Sequence, residues 1–541
     1  MSDPRPSLDD ARVVLEAAES LSATAVARTS ELTGKGERID DHQVIVERVA
    51  YAATEVRAAR SLISAVDADA SAAPAFRDPA LAAVAELARS ARDRLDQIAA
   101  DLGIDASYGA DVRAAMHRLG NEATVRAIGR EVAAARGRNP WPLDATLAEV
   151  RGSVRSFADK EVAPQAEHIH RHDELVPDRF IESMAELGYF GLSIPEQYGG
   201  HELGNLAMIL TTEELSRASL ASAGSLITRP EILAKALLAG GTDAQKQHWL
   251  PRIGSGELMV AISVTEPNIG SDVASVACRA EPATRDGVAG YVINGAKAWC
   301  TFAGRANVIA LLARTDPDPA KGAKGLSLFI VEKPRFDGHD FEATQPGGGK
   351  LSGKADRTPG YRGMHSFTLA LEDWFVPATH LVGEAGGVGR GFYLQMAGFA
   401  AGRLQTGGRA CGVAQAALER TAEYVTSRGQ FGKPIIEFGL TQFHLGRMAC
   451  RLAAARAITY EAAVAMDADE RAAAPLAAQA KLFACDVAVE VTQLGQLLHG
   501  GWGYAEEYPI SRYVVDALVL PIFEGVKPIL VLKVIARALL A

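Results

Sequence analysis

The chain has 541 residues, 48% of them hydrophobic and 23% charged, which excludes a mainly disordered protein and suggests three or four domains. A net charge of −10 argues against a nucleic-acid binder that relies on a broad basic face; no nucleic-acid partner is expected, although local basic sites for a phosphate-rich ligand stay open. The opening MSDPRPSLDD lacks the apolar core of a secretory signal, no uninterrupted apolar run reads as a membrane span, and Cys278, Cys300, Cys411, Cys450 and Cys485 form neither a CxxC pair nor a metal spacing. A cytoplasmic protein without a membrane partner or a metal is expected.

Residues 1–140 are rich in Ala and Arg, with helical apolar spacing in VIVERVAYAATEVRAARSLI (44–63) and ALAAVAELARSARDRLDQIAADL (80–102). RGRNPWPLD (136–144) breaks that spacing and reads as a linker. Helical patterning resumes over 141–258, interrupted by the turn IPEQYGGHELG (194–204). From Met259 to about Val382 the texture is β: MVAISV, GYVINGAKAWC, NVIALLA and LSLFIVE, separated by Gly, Pro, Asn and Asp clusters. Within that span TQPGGGKLSGKADRTPGYRG (344–363) reads as a long Gly-rich connection. Residues 383–541 are again helical, with Ala-rich faces such as RMACRLAAARAITYEAA. The order is α, α, β, α: a mainly α protein with a middle β domain.

The segment DDHQVIVERVAYAATEVRAARS is similar to LTQFHLGRMACRLAAARAITY near the other end. Gln43 matches Gln442, Arg48 Arg447, Ala50 Ala449, Arg57 Arg456 and Ala58 Ala457, all at one offset. Ala/Arg-rich helices share some such matches by chance. If the repeat is real, residues 1–140 are a degenerate copy of the C-terminal domain.

Three signals carry chemistry, the first made of two segments. AISVTEPNIGSDVASV (261–276) is a strand and a turn with free backbone N–H groups, and INGAKAWCTFAG (293–304) ends the next strand on Trp-x-Thr. YVTSRGQFGKPI (424–435) reads as a helix end and a Gly–Lys–Pro turn. LLHGGWGYAEEYPISRYVVDALVLPIFEG (497–525) pairs a Gly-Gly with a closing Phe-Glu-Gly, a string that alone would be an ordinary solvated loop.

Together these segments resemble the acyl-CoA dehydrogenase family, over residues from about 145 to 541. The resemblance implies a helical N-terminal domain, a middle β-barrel or sandwich and a C-terminal four-helix bundle, with residues 1–140 as an added helical extension. It implies FAD as cofactor. Val264 and Thr265 would lie along the isoalloxazine ring, Gly270 and Ser271 in the adjoining turn, and Trp299 and Thr301 over the rest of the flavin. A planar flavin needs one apolar stacking face and a few donors at its N/O edge, and this pair of segments supplies both. Arg428, with Gln430, Phe431 and Gly432, would meet the FAD pyrophosphate of a neighbouring subunit, and Gly500 and Gly501 would let backbone approach the cofactor closely. The chain departs from the family at Gly439 and Leu497, where Gln is usual, and at Val526–Lys527–Pro528, where Thr-Ser is usual.

In this family a carboxylate removes the α-proton of the thioester, and the resemblance assigns that role to Glu524, with Arg362 close by as a tuning group. A carboxylate beside Phe523 is expected to be desolvated, which raises its pKa toward the working range of a base. The long extension, the GGGK…GYRGMHSF loop and the IFEG close resemble the branch of the family that oxidises (2S)-methylsuccinyl-CoA to mesaconyl-CoA in the ethylmalonyl-CoA route. Electrons would leave through an electron-transferring flavoprotein. A dicarboxylic acyl chain needs a cation at its far end, and SLITRPEI (225–232) offers Arg229 with Thr228 beside it. The rival readings are a dehydrogenase for a short branched monocarboxylic acyl-CoA, a flavin oxidase on the same fold, and a non-catalytic DNA-binding flavoprotein, which the acidic balance disfavours. A homodimer is expected rather than a tetramer, with the extension covering apolar C-terminal helices.

Overall fold

The computed structural model describes residues 5–69 and 71–541. The chain forms two compact units, residues 1–150 together with 406–541, and residues 151–405.

The first unit is helical. Its N-terminal part contains α1 (Leu8–Thr33), α2 (Gln43–Ala68), α3 (Pro74–Asp96), the short α4 (Ala99–Leu102), α5 (Ala110–Gly120) and α6 (Glu122–Ala134). Local chemistry sets the ends: Ser7 Oγ accepts from Asp10 N at the start of α1, Pro74 opens α3, and Asn121 accepts from Thr124 N at the start of α6. After α7 (Ala145–Phe157), the chain passes through the second unit and returns in α13 (Gly391–Ser427). It continues through the β9–β10 hairpin (Gly429–Gln430, Lys433–Pro434), α14 (Gly439–Ala468), α15 (Glu470–His499), α16 (Ile510–Ala517), α17 (Lys527–Leu530) and α18 (Ala536–Leu540).

The extension packs on α14 of its own chain. α6 crosses α14 so closely that a Cβ on Gly129 would stand 1.8 Å from Gln442 O, and one on Gly446 2.0 Å from Val125 O. Only hydrogen fits at either position, which is the usual requirement for backbone-to-backbone helix contact. At Gly439 a Cβ would meet the Arg126 guanidinium at 3.0 Å, so α6 fills the space that the family's usual Gln would take. The segment 136–144 contains no regular element but is fixed. Asn139 bonds Ala449 O and accepts from Arg456, and Trp141 sits edge-on between Phe76 and Tyr460. The matched segments both form helices, α2 and α14, although Arg456 is fully buried and its match Arg57 is a third exposed, paired with Glu461.

One helical stretch, Glu470–Gly503, is long and apolar enough to cross a membrane by length and composition, although charged residues interrupt it. It is mostly buried as a core helix of this unit and carries Lys481, Asp486 and Glu490.

The second unit opens with α8 (Ala163–His172), α9 (Asp178–Glu186), α10 (Gly204–Ala218), α11 (Thr228–Gly240) and α12 (Asp243–Gly254). Next come β1 (Val260–Ser263), β2 (Arg279–Arg285), β3 (Val288–Thr301), β4 (Val308–Arg314), β5 (Leu326–Glu332), β6 (Asp340–Thr344), β7 (Lys350–Ala355) and β8 (Ser366–Pro377). They form one sheet in the order β1-β4-β2-β3-β8-β7-β6, with β5 on β4. β4 and β5 read as continuous apolar runs because both of their faces are covered. Leu233 and Leu237 of α11 and Trp249 and Leu250 of α12 share a core with Val308, Ala310, Leu328 and Ile330.

The Gly-rich 344–363 is not one long connection. Residues 350–355 form β7, paired with β6 and β8, and only 345–349 make the turn. Gly353 is a strand residue because the Phe341 ring lies where its Cβ would be, 2.3 Å away.

Candidate active site

In the β domain, β3 bulges against β8 between Ile293 and Gly295 and again between Lys297 and Cys300. The second bulge holds Trp299 at φ +57° and turns its ring outward, 58% exposed. Thr301, next on that face, is buried and shares a 2.9 Å hydrogen bond with Ser366 Oγ. The segment 264–271 is tied to the same strand: Ala298 N donates to Thr265 O, and Lys297 Nζ donates to Val264 O at 3.0 Å. Val264 is buried and Thr265 half-buried, whereas Gly270 and Ser271 are exposed in the turn. Glu266 anchors that turn by accepting from Ala277 N, Cys278 N and Lys297 Nζ.

The Lys297–Glu266 pair is fully buried on the Lys side and 8% exposed on the Glu side. Lys297→Met strands the Glu266 charge, so the variant is expected to lose about 3–5 kcal/mol in denaturant unfolding. A loss under 1 kcal/mol would mean that the pair does not organise the turn.

Arg229 opens α11 at 6% exposure. It donates to Ser225 O at 3.0 Å and lies 5.9 Å from the Tyr361 ring centre, and no carboxylate pairs with it among the described residues. Its charge reaches the Cys300 thiol, between Trp299 and Thr301, whose pKa is pushed up to about 12 by burial against the opposing pull of the Ser263 hydrogen bond and of Lys333, Arg229 and Lys297. Thr228 is fully buried with a hydroxyl that has no hydrogen-bond partner.

Arg362 is about a third exposed and bridges loops, donating to Thr358 O and His170 O at 3.2 Å with Asp173 Oδ1 3.6 Å away. Asp173, His339 and His365 place one donor atom each within 4.8 Å of one another. Asp173 Oδ1 already faces Arg362 as well as His365 Nε2 (3.2 Å), a positive charge that opposes a metal cation there.

In the helical unit, Glu524 adopts φ +53°, and its side chain is 8% exposed. Lys481, itself buried, donates to the carbonyls on both sides of it, Phe523 O and Gly525 O. The carboxylate accepts from Thr406 Oγ1 at 2.5 Å and from Arg409 Nη2 at 2.8 and 2.9 Å. Arg409 is fully buried, with its guanidinium 4.6 Å from the Phe523 ring centre. Glu524 is thus buried beside Phe523, with a paired cation that the sequence reading did not include. A buried guanidinium balances its charge and a hydroxyl fixes one oxygen.

Thr406, Arg409 and Lys481 were not singled out from the sequence. The signal for Arg409 was the one charge inside LQTGGRACGVAQAAL, a stretch otherwise uncharged.

Also in this unit, Arg428, Gln430, Gly500 and Gly501 line one cavity of about 570 Å³ with Tyr424 and His499. Arg428 and Gln430 are exposed on the β9–β10 hairpin, and Phe431 at its tip is 92% exposed with φ +53°. Gly500 has φ +61°, and a Cβ on Gly500 or Gly501 would meet nothing within 4 Å, so open space begins at this backbone. His499 is buried, stacked on Tyr424 and bonded through Nδ1 to Gly495 O.

Models of the acyl-CoA dehydrogenase N-terminal, middle and C-terminal domains match residues 144–257, 261–373 and 389–540. The chain belongs to the acyl-CoA dehydrogenase family. The (2S)-methylsuccinyl-CoA dehydrogenase of Cereibacter sphaeroides is 41% identical over 447 residues, covering 81% of this chain and 78% of that protein. A chain from the structure of the electron transferring flavoprotein of Acidaminococcus fermentans matches with a TM-score of 0.67 at 31% identity, over 74% of this chain and 99% of that one. The glutaryl-CoA complex of a glutaryl-coenzyme A dehydrogenase matches with a TM-score of 0.65 at 29% identity, over 72% and 94%.

Like the rest of the acyl-CoA dehydrogenase family, this oxidoreductase uses FAD. Its residues fit a flavin. Trp299 presents an uncovered ring at a backbone angle that a bulky residue rarely adopts, and the Gly500–Gly501 backbone lies open to a ligand.

Burial lowers the pKa of His365, His380, His444 and His499 below the ordinary histidine value. The unfolded chain then binds more protons than the folded enzyme as pH falls through about 6.5. Thermal unfolding is expected at lower temperature at pH 5.5 than at pH 7.5. A midpoint unchanged between the two would refute this linkage.

Proposed function

We propose that the enzyme oxidises (2S)-methylsuccinyl-CoA to mesaconyl-CoA and passes the electrons to an electron-transferring flavoprotein. The observation that carries the substrate is Arg229, a buried cation without an acidic partner, beside a buried Thr228 hydroxyl that is also unpartnered. A buried charge without a counter-charge is costly, and the free carboxylate of a dicarboxylic acyl-CoA removes that cost. The likeness to a methylsuccinyl-CoA dehydrogenase and to a dehydrogenase holding glutaryl-CoA supports the same class.

In this reading Glu524 takes the α-proton. Arg409 and Thr406 pair with its carboxylate and orient it, and Lys481 holds the strained backbone that presents it. Trp299 and the 264–271 turn would hold the ring system of FAD, and Arg428, with Gln430, Phe431, Gly500 and Gly501, would meet the cofactor of a neighbouring subunit. FAD, when bound, would supply the hydride acceptor for the β-hydrogen, and the Cα–Cβ bond would become double as Glu524 holds the α-proton. The five cysteines are free and buried, which suits the reducing cytoplasm.

The test is anaerobic reduction of the oxidised flavin band by different acyl-CoAs. Methylsuccinyl-CoA should bleach it faster than isobutyryl- or 2-methylbutyryl-CoA. Preference for a monocarboxylic substrate would move the enzyme to the branched-chain class.

The close packing of α6 on α14 also supports a homodimer, because the extension covers helices that tetrameric relatives use between dimers. Light scattering should give twice the 57.2 kDa chain mass, and a tetramer mass would overturn this assignment.

A further inference from the structure

Gln405 is 1% exposed, and neither its amide nitrogen nor its amide oxygen has a hydrogen-bond partner. A buried amide left unsatisfied at both ends is unusual, because each unpaired group retains its desolvation penalty. Such a side chain implies a polar occupant that the folded chain alone does not supply.

Its place in the fold points to that occupant. α13 runs antiparallel to α11: a Cβ on Gly240 would meet Leu394 at 2.4 Å, and one on Gly398 would meet Ile232 O at 2.6 Å. Gln405 lies seven residues beyond Gly398, hence on the same face of α13 and about 10 Å further along its axis. That direction leads past Ile232 to the end of α11 that carries Thr228 and Arg229. Extending α13 along that course carries Gln405 toward the end of α11 where Thr228 and Arg229 stand, and all three side chains are buried.

We infer that Gln405 is a specificity-determining residue, whose amide N–H donates to the distal carboxylate of a dicarboxylic acyl-CoA alongside Arg229 and Thr228. The inference rests on the substrate class proposed above and names the neutral donor that completes its cradle. A carboxylate carries about four acceptor positions, which one guanidinium and one hydroxyl do not fill. An amide adds a donor without a second charge, and its oxygen can accept from a water. An apolar acyl end would leave all three groups unsatisfied, so the cradle both accepts the dicarboxylate and rejects its monocarboxylic isostere.

The experiment compares kcat/KM for methylsuccinyl-CoA and 2-methylbutyryl-CoA in the FAD-loaded enzyme, Gln405→Leu and Gln405→Glu. Gln405→Leu is expected to lose roughly ten- to a hundred-fold on methylsuccinyl-CoA, the size of one hydrogen bond to a charged group, and to hold or gain on 2-methylbutyryl-CoA. Gln405→Glu keeps the shape but adds a negative charge, and is expected to lose more on methylsuccinyl-CoA than Gln405→Leu. Equal losses on both substrates, or no loss on either, overturn the inference: the amide then only fills space or holds a water. If Arg229→Met discriminates between the substrates while Gln405→Leu does not, the inference falls and the dicarboxylic reading stands. If the unmodified enzyme itself shows no preference for the dicarboxylic substrate, both fall.

Discussion

Glu524→Gln is expected to keep FAD and to bind acyl-CoA, yet to lose turnover by several orders of magnitude, at the ~10²–10⁴ scale that a general base contributes or beyond it. The amide is isosteric but cannot accept the α-proton. The structure adds a second expectation. Arg409 is fully buried, and Glu524 is the acid that balances it. Removing that charge should therefore destabilise the protein by about 3–5 kcal/mol. The double variant Arg409→Met/Glu524→Gln should recover much of that stability, because an apolar side chain replaces the stranded cation, and should remain inactive. Stability and turnover are thereby separated. A stable but active Glu524→Gln enzyme would remove Glu524 from the reaction, and a double variant as unstable as the single one would show that the ion pair is not the reason for the loss.

Arg229→Met should cut kcat/KM for methylsuccinyl-CoA by about 10²- to 5 × 10³-fold, corresponding to about 3–5 kcal/mol for breaking a buried charge pair. A monocarboxylic acyl-CoA should react as well as before or better, since the variant no longer buries an unpaired cation. The measurement is steady-state kinetics on both substrates. Parallel losses would mean that Arg229 supports the α11 turn through Ser225 rather than reading the acyl end.

Much of the scaffold was visible in the amino-acid order because it depends on local periodicity. β4 and β5 are unbroken apolar runs, and α2 and α3 show helical spacing throughout. The Gly-rich 344–363 misled because glycine ordinarily marks a loop, whereas Gly353 is there to accommodate the Phe341 ring across the sheet. The Glu524 surroundings were not legible at all. Arg409 lies 115 residues from its partner, and the Lys481 ammonium holds carbonyls 42 and 44 residues away. A lone charge in an Ala/Gly-rich helix marks Arg409 as unusual, but nothing local names the acid it meets. Arg229 was recognisable only as an odd charge; its burial and lack of an acid partner are tertiary facts.

The Gly129–Gly446 crossing has a consequence for biosynthesis. It joins parts of one compact unit that leave the ribosome at opposite ends of translation, with residues 151–405 made between them. At about 5–20 residues per second, that interval lasts roughly 10–50 s. During it, the face of α6 around Gly129 and the apolar sides of α2 and α3 have no α14 to meet, while the intervening unit can already fold. The nascent extension must therefore spend that time as an unfinished half-bundle, which makes it the segment of the newborn chain most in need of chaperone cover. Chains interrupted before α14 should fail through this end first, aggregating by way of residues that in the finished enzyme touch no substrate.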